Sequence, residues 1–154
     1  MSNPNVYKRL AEINEMPSHD AEALFLTCCG SKVWATAMTL ARPFPLIEPL
    51  FVTANSLWSA LSNADRLEAY SGEGRLGDLA SGDEEMISEL AEAFRLYRDK
   101  FGFIFIVNTG GRSAIEVLAI CRARLGNSVE TELVIAAEEQ RKTIESRLRQ
   151  LLEK

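Results

Sequence analysis

An arginine that follows two glycines is the best candidate for a ligand-binding cation in this 154-residue chain. Gly110 and Gly111 carry no Cβ atom, so their backbone can approach a ligand closely. The guanidinium of Arg112 can bind a carboxylate through two parallel hydrogen bonds. The alternative is a solvated arginine at a helix start, where a positive charge is mildly unfavourable to the helix dipole.

The apolar segment before this arginine is a second candidate. Residues 101–108 read Phe-Gly-Phe-Ile-Phe-Ile-Val-Asn, and this aromatic and β-branched composition favours a strand. Because no second strand pattern offers a partner, a buried extended segment is an equal alternative, with backbone groups free to bond a ligand. The backbone of Ile106, Val107 and Asn108 would then supply hydrogen-bond donors and acceptors; the alternative is core packing.

Helical patterns account for most of the remaining chain. Apolar residues recur at helical spacing, and prolines, glycines and capping serines separate the segments. The predicted helices are one before Pro17, one from a cap at Ser18 to Gly30, one from a cap at Ser31 to Ala41, then 46–61, a short one ending at Tyr70, 84–100, one from the Ser113–Glu116 capping box to Leu125, and about 129–152. Residues 71–82, with four glycines, form the one clear loop. The pattern predicts a single all-α domain over residues 1–154.

Composition and charge exclude several classes of partner. An apolar content of 47% with 25% charged residues is ordinary for a globular protein. The net charge of −5 argues against nucleic acid or an anionic membrane. No signal peptide and no apolar run long enough to span a bilayer is evident, so we expect a cytoplasmic protein. Three cysteines without metal-site spacing and a single histidine predict no metal site, and no cofactor motif is present.

Several separated blocks of the sequence resemble one enzyme family, in the expected order and over nearly the whole chain. The blocks are 26–31, 34–35, 41–44, 90–92 with Tyr97, 100–107, 111–113, 122–127, 130–133 and 139–148. They are similar to the bacterial and plant 2-oxo-4-hydroxy-4-carboxy-5-ureidoimidazoline (OHCU) decarboxylases, enzymes of urate breakdown.

The resemblance implies a fold, a reaction and a partner. It implies a compact multi-helix domain of the OHCU decarboxylase type, cofactor-independent decarboxylation of OHCU to (S)-allantoin, and a homodimer. The ligand would be a small, anionic ureidoimidazoline. Such a reaction needs cationic or amide donors for the developing negative charge and a group that manages the proton.

Two departures from the family pattern define the candidate catalytic residues. Glu73 stands where the family has a catalytic histidine, and Gly74 replaces the proline that follows it. The family's Ser-x-x-Glu-Gln segment is shortened, which aligns Glu84 with its glutamate. Glu73 is then either an exposed loop carboxylate, a replacement acid or base, or a group that binds a cationic or hydroxyl-rich ligand. Glu84 is either catalytic or a favourable charge at a helix N-terminus.

These departures leave two functional hypotheses open. One is an active decarboxylase that uses Glu73 and Glu84 in place of the usual pair. An unperturbed glutamate titrates near ~4.3, against ~6.5 for histidine, so the replacement changes the proton chemistry. The other hypothesis is a non-catalytic relative that keeps the fold and binds a small molecule or a protein partner.

Overall fold

Eight α-helices lie within residues 4–73 and 83–154, the parts of the chain that this computed structural model describes. They are α1 (Pro4–Glu15), α2 (Ser18–Leu26), α3 (Lys32–Leu40), α4 (Ile47–Ala60), α5 (Asn63–Tyr70), α6 (Glu84–Phe101), α7 (Ala114–Arg124) and α8 (Val129–Glu153). No strand occurs in these two ranges, so the predicted all-α fold class is confirmed. Of the predicted loop at 71–82, residues 74–82 lie outside the described ranges.

Two serine caps predicted from the sequence have different outcomes. Ser31 caps α3, since its side chain accepts a hydrogen bond from the backbone N–H of Trp34 at 3.2 Å. The predicted cap at Ser18 is wrong, because Ser18 is already helical and Pro17 occupies the cap position without a side-chain hydrogen bond. The Pro17 carbonyl instead accepts the backbone N–H groups of Asp20 and Ala21, each at 3.0 Å. The first turn of α2 therefore forms without a capping hydroxyl.

One compact unit comprises residues 1–69 and 141–154, and so contains α1 to α4, most of α5 and the C-terminal part of α8. Within it α2 packs against α3, and α3 packs against α4. Trp34 is fully buried, meets Phe25 edge to face with 6.1 Å between ring centroids, and donates its indole N–H to the Ala54 carbonyl at 3.1 Å. A buried indole with a satisfied N–H fixes the spacing of α3 and α4.

The second compact unit comprises residues 70–140, which include α6, α7 and the N-terminal part of α8. Here α6 packs against α7 around an aromatic cluster. Tyr97 lies at its centre, with ring-centroid distances of 4.5 Å to Phe101, 5.8 Å to Phe103 and 5.1 Å to Phe105. Aromatic rings at such distances contribute beyond their buried area, so this cluster is a rigid support for the chain that follows α6.

Irregular backbone joins α6 to α7 through residues 102–113. Gly102 ends α6 in the left-handed region, with φ of 83°. Phe103, Phe105 and Ile106 are buried, but the segment pairs with no strand in the described chain. The predicted buried segment is therefore confirmed over the alternative of a strand. The predicted capping box is also confirmed, since the side chains of Ser113 and Glu116 each accept a hydrogen bond from the backbone N–H of the other at the start of α7.

None of the described helices combines the length and the apolar character that a membrane crossing requires.

Candidate functional site

A carboxylate of α8 joins the predicted arginine to the buried segment. Glu139 Oε1 accepts hydrogen bonds from Arg112 Nη1 at 2.9 Å and from the backbone N–H of Asn108 at 3.2 Å. Arg112 Nη1 also donates to the Asn108 carbonyl at 3.0 Å. The structure thus brings together two of the residues predicted from the sequence, Arg112 and Asn108, through a third that had no predicted role.

A tight turn between these two residues makes the contact possible. The Asn108 side chain accepts a hydrogen bond from the Gly110 N–H at 3.1 Å, and the Arg112 N–H bonds to the Thr109 carbonyl at 3.0 Å. Gly111 adopts a φ of 74°, a left-handed conformation that residues with a Cβ atom rarely take. Of the glycine pair noted in the sequence, Gly111 therefore has a conformational reason, which is to turn the chain so that Arg112 folds back on Asn108.

The remaining nitrogens of Arg112 form the available edge of this site. Within residues 4–73 and 83–154, Nε and Nη2 donate to no partner, and the side chain is 33% exposed. The Nε and Nη2 groups lie on one edge of the planar guanidinium and can bind two oxygen atoms side by side. Glu139, with a side chain only 10% exposed, anchors the opposite end.

The backbone of the 106–108 segment is partly committed to the protein itself. The Ile106 carbonyl accepts a hydrogen bond from Arg124 Nη1 at 2.8 Å, and both peptide groups of Asn108 are bonded as described above. Val107 is half-buried, and neither its N–H nor its C=O bonds to any described residue. Of the three predicted backbone positions, Val107 therefore has peptide groups that remain for a ligand.

A buried charged network lies behind this segment. Arg124 Nε donates to Glu132 Oε1 at 2.7 Å, and the two side chains are 8% and 0% exposed. Tyr97 donates its hydroxyl to the same Glu132 oxygen at 2.5 Å, and Asn127 donates to the other at 2.8 Å. Burial, together with the hydrogen bond to Glu132, raises the pKa of Tyr97 well above its ordinary value despite the opposing charge of Arg124. Tyr97 therefore stays a neutral donor at physiological pH.

Glu73 is hydrogen-bonded to Gln140, the residue that follows Glu139 on α8. Its Oε1 accepts a hydrogen bond from Gln140 Nε2 at 3.1 Å, and Glu73 itself is half-buried. Gln140 is 1% exposed and follows Glu139 directly in the helix. Glu73 and Arg112 are thus held by consecutive residues of one helix.

Glu84 has a different environment from Glu73. It is exposed in the first turn of α6, and its carboxylate forms no hydrogen bond or ion pair within the described chain. A negative charge at this position is favourable to the helix dipole. No described contact brings Glu84 to Arg112 or Asn108, and its catalytic role stays a prediction.

No role was predicted from the sequence for the four residues that organise this site, Glu139, Gln140, Glu132 and Arg124. A signal was present in α8. Glu132, Ala136 and Glu139 recur at spacings of four and three residues, which places them on one helix face. All three are buried. Acidic residues in the same stripe as a buried alanine indicate buried, paired carboxylates rather than a solvated face.

Two surface cavities lie away from these residues. One, of 290 Å³, is in the second compact unit and is lined by Ser88, Glu89, Glu92, Ala93, Leu96, Arg122 and Leu125. The other, of 550 Å³, is in the first unit and is lined by Tyr7, Leu46, Ile47, Glu48, Phe51, Val52, Asn55, Glu145 and Arg149. Neither is lined by a candidate site residue. No group of three or more histidine, cysteine, aspartate or glutamate side chains within the described chain is placed to hold a metal ion.

Comparisons with known proteins agree on one family. The family described as OHCU decarboxylase matches residues 14–149. The chain is 33% identical to the uric acid degradation bifunctional protein TTL of Arabidopsis thaliana, over 80% of this chain and 45% of that protein. This chain therefore spans less than half the length of that relative.

Two solved structures have a similar fold. A crystal structure of OHCU decarboxylase in the presence of (S)-allantoin matches with a TM-score of 0.78 and 34% identity, covering 84% of this chain and 97% of that one. A crystal structure of (S)-allantoin synthase matches with a TM-score of 0.74 over 92% of this chain and 53% of that one. At 20% identity, this second likeness concerns the fold alone.

Proposed function

Because this chain belongs to the OHCU decarboxylase family, we propose that it converts OHCU to (S)-allantoin and carbon dioxide. Support comes from the extent of the family match, and from a relative at 34% identity whose structure was determined with (S)-allantoin present. The related Arabidopsis protein takes part in uric acid degradation, which is consistent with the same pathway. The ligand on this proposal is a small anionic ureidoimidazoline.

The reaction sets clear demands on the site. The bond between the carboxylate carbon and the ring carbon breaks, and carbon dioxide leaves. The electron pair passes into the ring and its oxygen and nitrogen atoms, and a proton is then added to a ring carbon from one face. The protein must therefore stabilise negative charge that moves from the carboxylate to the ring, and it must deliver one proton. No redox partner is needed for this balance.

The observation that carries the proposal is the available edge of Arg112, whose Nη1 bonds to Asn108, the residue that follows Val107. A cation placed on the departing carboxylate would stabilise the substrate more than the transition state, since that group loses its charge as carbon dioxide forms. We therefore assign the Nε and Nη2 edge of Arg112 to ring or ureido oxygen atoms, where charge develops. The Val107 N–H and C=O are suited to pair with the ring's own acceptors and donors.

Proton delivery is assigned to Glu73. It is half-buried and held by Gln140, whereas Glu84 is exposed and has no described partner. Proton delivery requires the neutral, protonated form of the Glu73 carboxyl group. A nearby anionic substrate favours this form, because repulsion between the two negative charges opposes ionisation of the carboxyl group. Glu73 in its protonated form would donate to the ring carbon, at the position where the resemblance expects a histidine.

The test is a coupled assay in which OHCU is generated fresh from urate. Formation of (S)-allantoin is followed by circular dichroism for the wild type, for Arg112→Ala, and for Arg122→Ala, an exposed arginine on α7 that serves as the matched control. We expect chiral product to form faster than the spontaneous decay of OHCU, in the wild type and the control but not in Arg112→Ala. Racemic product at the uncatalysed rate from the wild type would overturn the proposal.

A non-catalytic, ligand-binding relative is the second candidate, and one departure of the sequence from the family resemblance motivates it. Glu73 replaces the family's histidine, and loss of a general acid or base typically lowers rates by about 10² to 10⁴. On this hypothesis the wild type binds (S)-allantoin in a calorimetric titration but leaves OHCU decay unchanged. The same titration with Arg112→Ala would show whether the guanidinium holds the ligand.

We further propose a cytoplasmic homodimer, as the family resemblance implies. Exposed apolar side chains in the first unit, among them Leu46 and Val52 at 55% and 57% exposure, are compatible with a subunit contact. Sedimentation velocity at several protein concentrations tests this assembly. A monomer throughout the micromolar range would refute it.

A further inference from the structure

The buried network of Arg124, Glu132 and Tyr97 has no role in the proposed chemistry, although it contacts the ligand-binding segment. We propose that Arg124 is a positioning residue, which holds the Ile106 carbonyl so that the peptide groups of Val107 keep the orientation that ligand binding needs. This inference rests on the proposed function of the 106–108 backbone. It assigns Arg124 no contact with the substrate.

Arg124 has a separate partner for each of its three nitrogens. Nε donates to Glu132 at 2.7 Å, Nη1 to the Ile106 carbonyl at 2.8 Å, and Nη2 lies 3.4 Å from the Tyr97 hydroxyl. The guanidinium also stacks over the ring of Phe105, with 4.5 Å from Cζ to the ring centroid. A planar group fixed by three hydrogen bonds and a ring contact has one orientation, and so fixes the carbonyl that it binds.

The segment that Arg124 holds has no regular hydrogen bonding to keep its shape. It is anchored on either side of Val107, by Arg124 at the Ile106 carbonyl and by Glu139 and Arg112 at the N–H and carbonyl of Asn108. Val107 lies between these anchors. The Val107 N–H shares a planar peptide unit with the Ile106 carbonyl, and the Val107 carbonyl shares one with the Asn108 N–H, so both groups are held in place without bonds of their own.

Both anchors depend on one helix. Glu132 orients Arg124, and Glu139 bonds directly to Asn108 and orients Arg112. The two glutamates are seven residues apart on α8, so they share a face and are separated by roughly 10 Å along the helix axis. Residues 132–139 of α8 thus set the distance between the two ends of the tripeptide 106–108.

Stability alone is a poor explanation for the buried pair. Moving two charges from water into a protein interior is costly, and well-packed apolar side chains of similar size are often at least as stabilising. Tyr97 and Asn127 donate further hydrogen bonds to Glu132, so both carboxylate oxygens have partners. For packing alone, apolar side chains of similar volume could still take the place of this network. What apolar side chains cannot replace is the bond from Arg124 to the Ile106 carbonyl.

The test replaces the network by apolar groups of similar volume. The variant combines Arg124→Met, Glu132→Leu and Tyr97→Phe. Its matched control removes an exposed ion pair on α6, through Arg95→Met with Glu92→Leu. Three measurements are made on each protein: the thermal unfolding midpoint, the exchange rate of the Asn108 amide hydrogen by NMR, and kcat and KM for OHCU.

We expect the triple variant to unfold cooperatively near the wild-type midpoint. The Asn108 amide should exchange at least about tenfold faster, and kcat/KM should fall about 10- to 100-fold, as the loss of hydrogen bonds to a charged group would produce. The surface-pair control should match the wild type in all three. If Arg124 and Glu132 contributed to stability alone, the triple variant would instead unfold at a lower midpoint. The exchange rate of the Asn108 amide would then rise only by the same factor as the exchange rates of the α7 amides.

The outcomes separate this inference from the proposed function. A folded triple variant with unchanged Asn108 exchange overturns the positioning role, whether or not the wild type is active. A wild type that forms no chiral product overturns the decarboxylase proposal, and the exchange measurement alone then decides the role of Arg124. If the triple variant does not fold, Arg124→Lys takes its place, because an ammonium keeps the charge but cannot bond Glu132, Ile106 and Tyr97 together. Unchanged Asn108 exchange in Arg124→Lys would likewise overturn the inference.

Discussion

Glu139 binds Arg112 at one end only, with Oε1 2.9 Å from Nη1, and leaves the Nε and Nη2 edge without a partner in the described chain. The pairing fixes the guanidinium in place before any ligand arrives. A side chain that is already ordered loses less conformational freedom on binding, so its hydrogen bonds contribute more to affinity. The ion pair thus prepares Arg112 for a ligand while partly neutralising its charge.

The first prediction concerns the fork geometry of Arg112. In Arg112→Lys the positive charge remains, but the ammonium cannot bond Glu139 and two ligand oxygens in one plane. We expect kcat/KM for OHCU to fall about 10- to 100-fold, which corresponds to the loss of one or two hydrogen bonds to charged groups. Because the charge is proposed to develop on the ring, most of the loss should appear in kcat.

Arg122→Lys is the control for this measurement, since Arg122 is exposed on α7 and lies outside the site. Its kinetic constants should equal those of the wild type. An Arg112→Lys enzyme that matches the wild type in both constants would show that charge alone suffices. A change confined to KM would instead place Arg112 on a part of the ligand whose charge does not change.

The second prediction concerns the acid at residue 73. Glu73→His restores the imidazole that the resemblance expects there, with an ordinary pKa near ~6.5 in place of ~4.3. An acid with a pKa closer to the working pH is the better proton donor. We expect the rate of (S)-allantoin formation at neutral pH to rise at least about tenfold, which is less than the full factor of about 10² to 10⁴ for a general acid because Glu73 already supplies part of it.

Glu73→Gln is the companion variant, because it keeps the size of the side chain and can still accept a hydrogen bond from Gln140, but it carries no acidic proton. It should lower the rate of chiral product formation below that of the wild type. A Glu73→Gln enzyme with wild-type activity would remove Glu73 from the proton transfer. The proton would then have to come from another donor, and Glu84 would be tested next by Glu84→Gln.

Local sequence signals predicted the helices well. The capping serines Ser31 and Ser113 mark the starts of α3 and α7, and Glu84 is the first residue of α6 as the pattern indicated. These signals act over one helical turn, so a single sequence contains them in full. Ser18 was the exception, because a carbonyl of Pro17 already accepts the N–H groups that a cap would take.

The organisation of the candidate site was far less predictable. The aromatic segment and Arg112 were visible as residue types, but the carboxylate that joins them follows Asn108 by 31 residues. Which peptide groups remain for a ligand depends on long-range partners such as Arg124, 18 residues from Ile106. Such pairings depend on which residues of α8 lie beside residues 106–108. The spacing of apolar residues along the sequence does not give this alignment.

The third prediction concerns the start of α7, directly after Arg112. Ser113→Ala removes the hydroxyl that accepts the Glu116 N–H at 3.2 Å and so breaks the capping box. The free energy of unfolding should fall by about 1 kcal/mol, the usual cost of losing such a cap. Ser146→Ala, on an exposed position within α8, should leave it unchanged or slightly higher, because alanine favours a helix interior. Equal urea midpoints for the two variants would contradict the capping role.

The last prediction concerns alkaline pH and the buried thiols. Burial raises the pKa of Cys28 to about 11, and burial also raises the pKa of Cys121 to about 11, from 9.0 in the unfolded chain. Below pH 9.0 both thiols are protonated in either state, so their contribution to stability is complete. As the pH rises further, the unfolded chain releases these protons first, so the free energy of unfolding falls until the folded thiols also ionise near pH 11.

Each thiol should contribute about 2 to 3 kcal/mol to this loss, since one pKa unit corresponds to about 1.4 kcal/mol. Urea unfolding under reducing conditions, at intervals from pH 7 to about pH 11, measures the effect for the wild type and for Cys28→Ala with Cys121→Ala. The double variant should be less stable at neutral pH, since it lacks buried atoms, but its stability should fall less steeply in the alkaline range. Tyr97 is common to both proteins, so its own titration does not alter the difference between them. Parallel pH profiles would mean that the two thiols ionise equally readily in the folded and unfolded chains, which is incompatible with their burial.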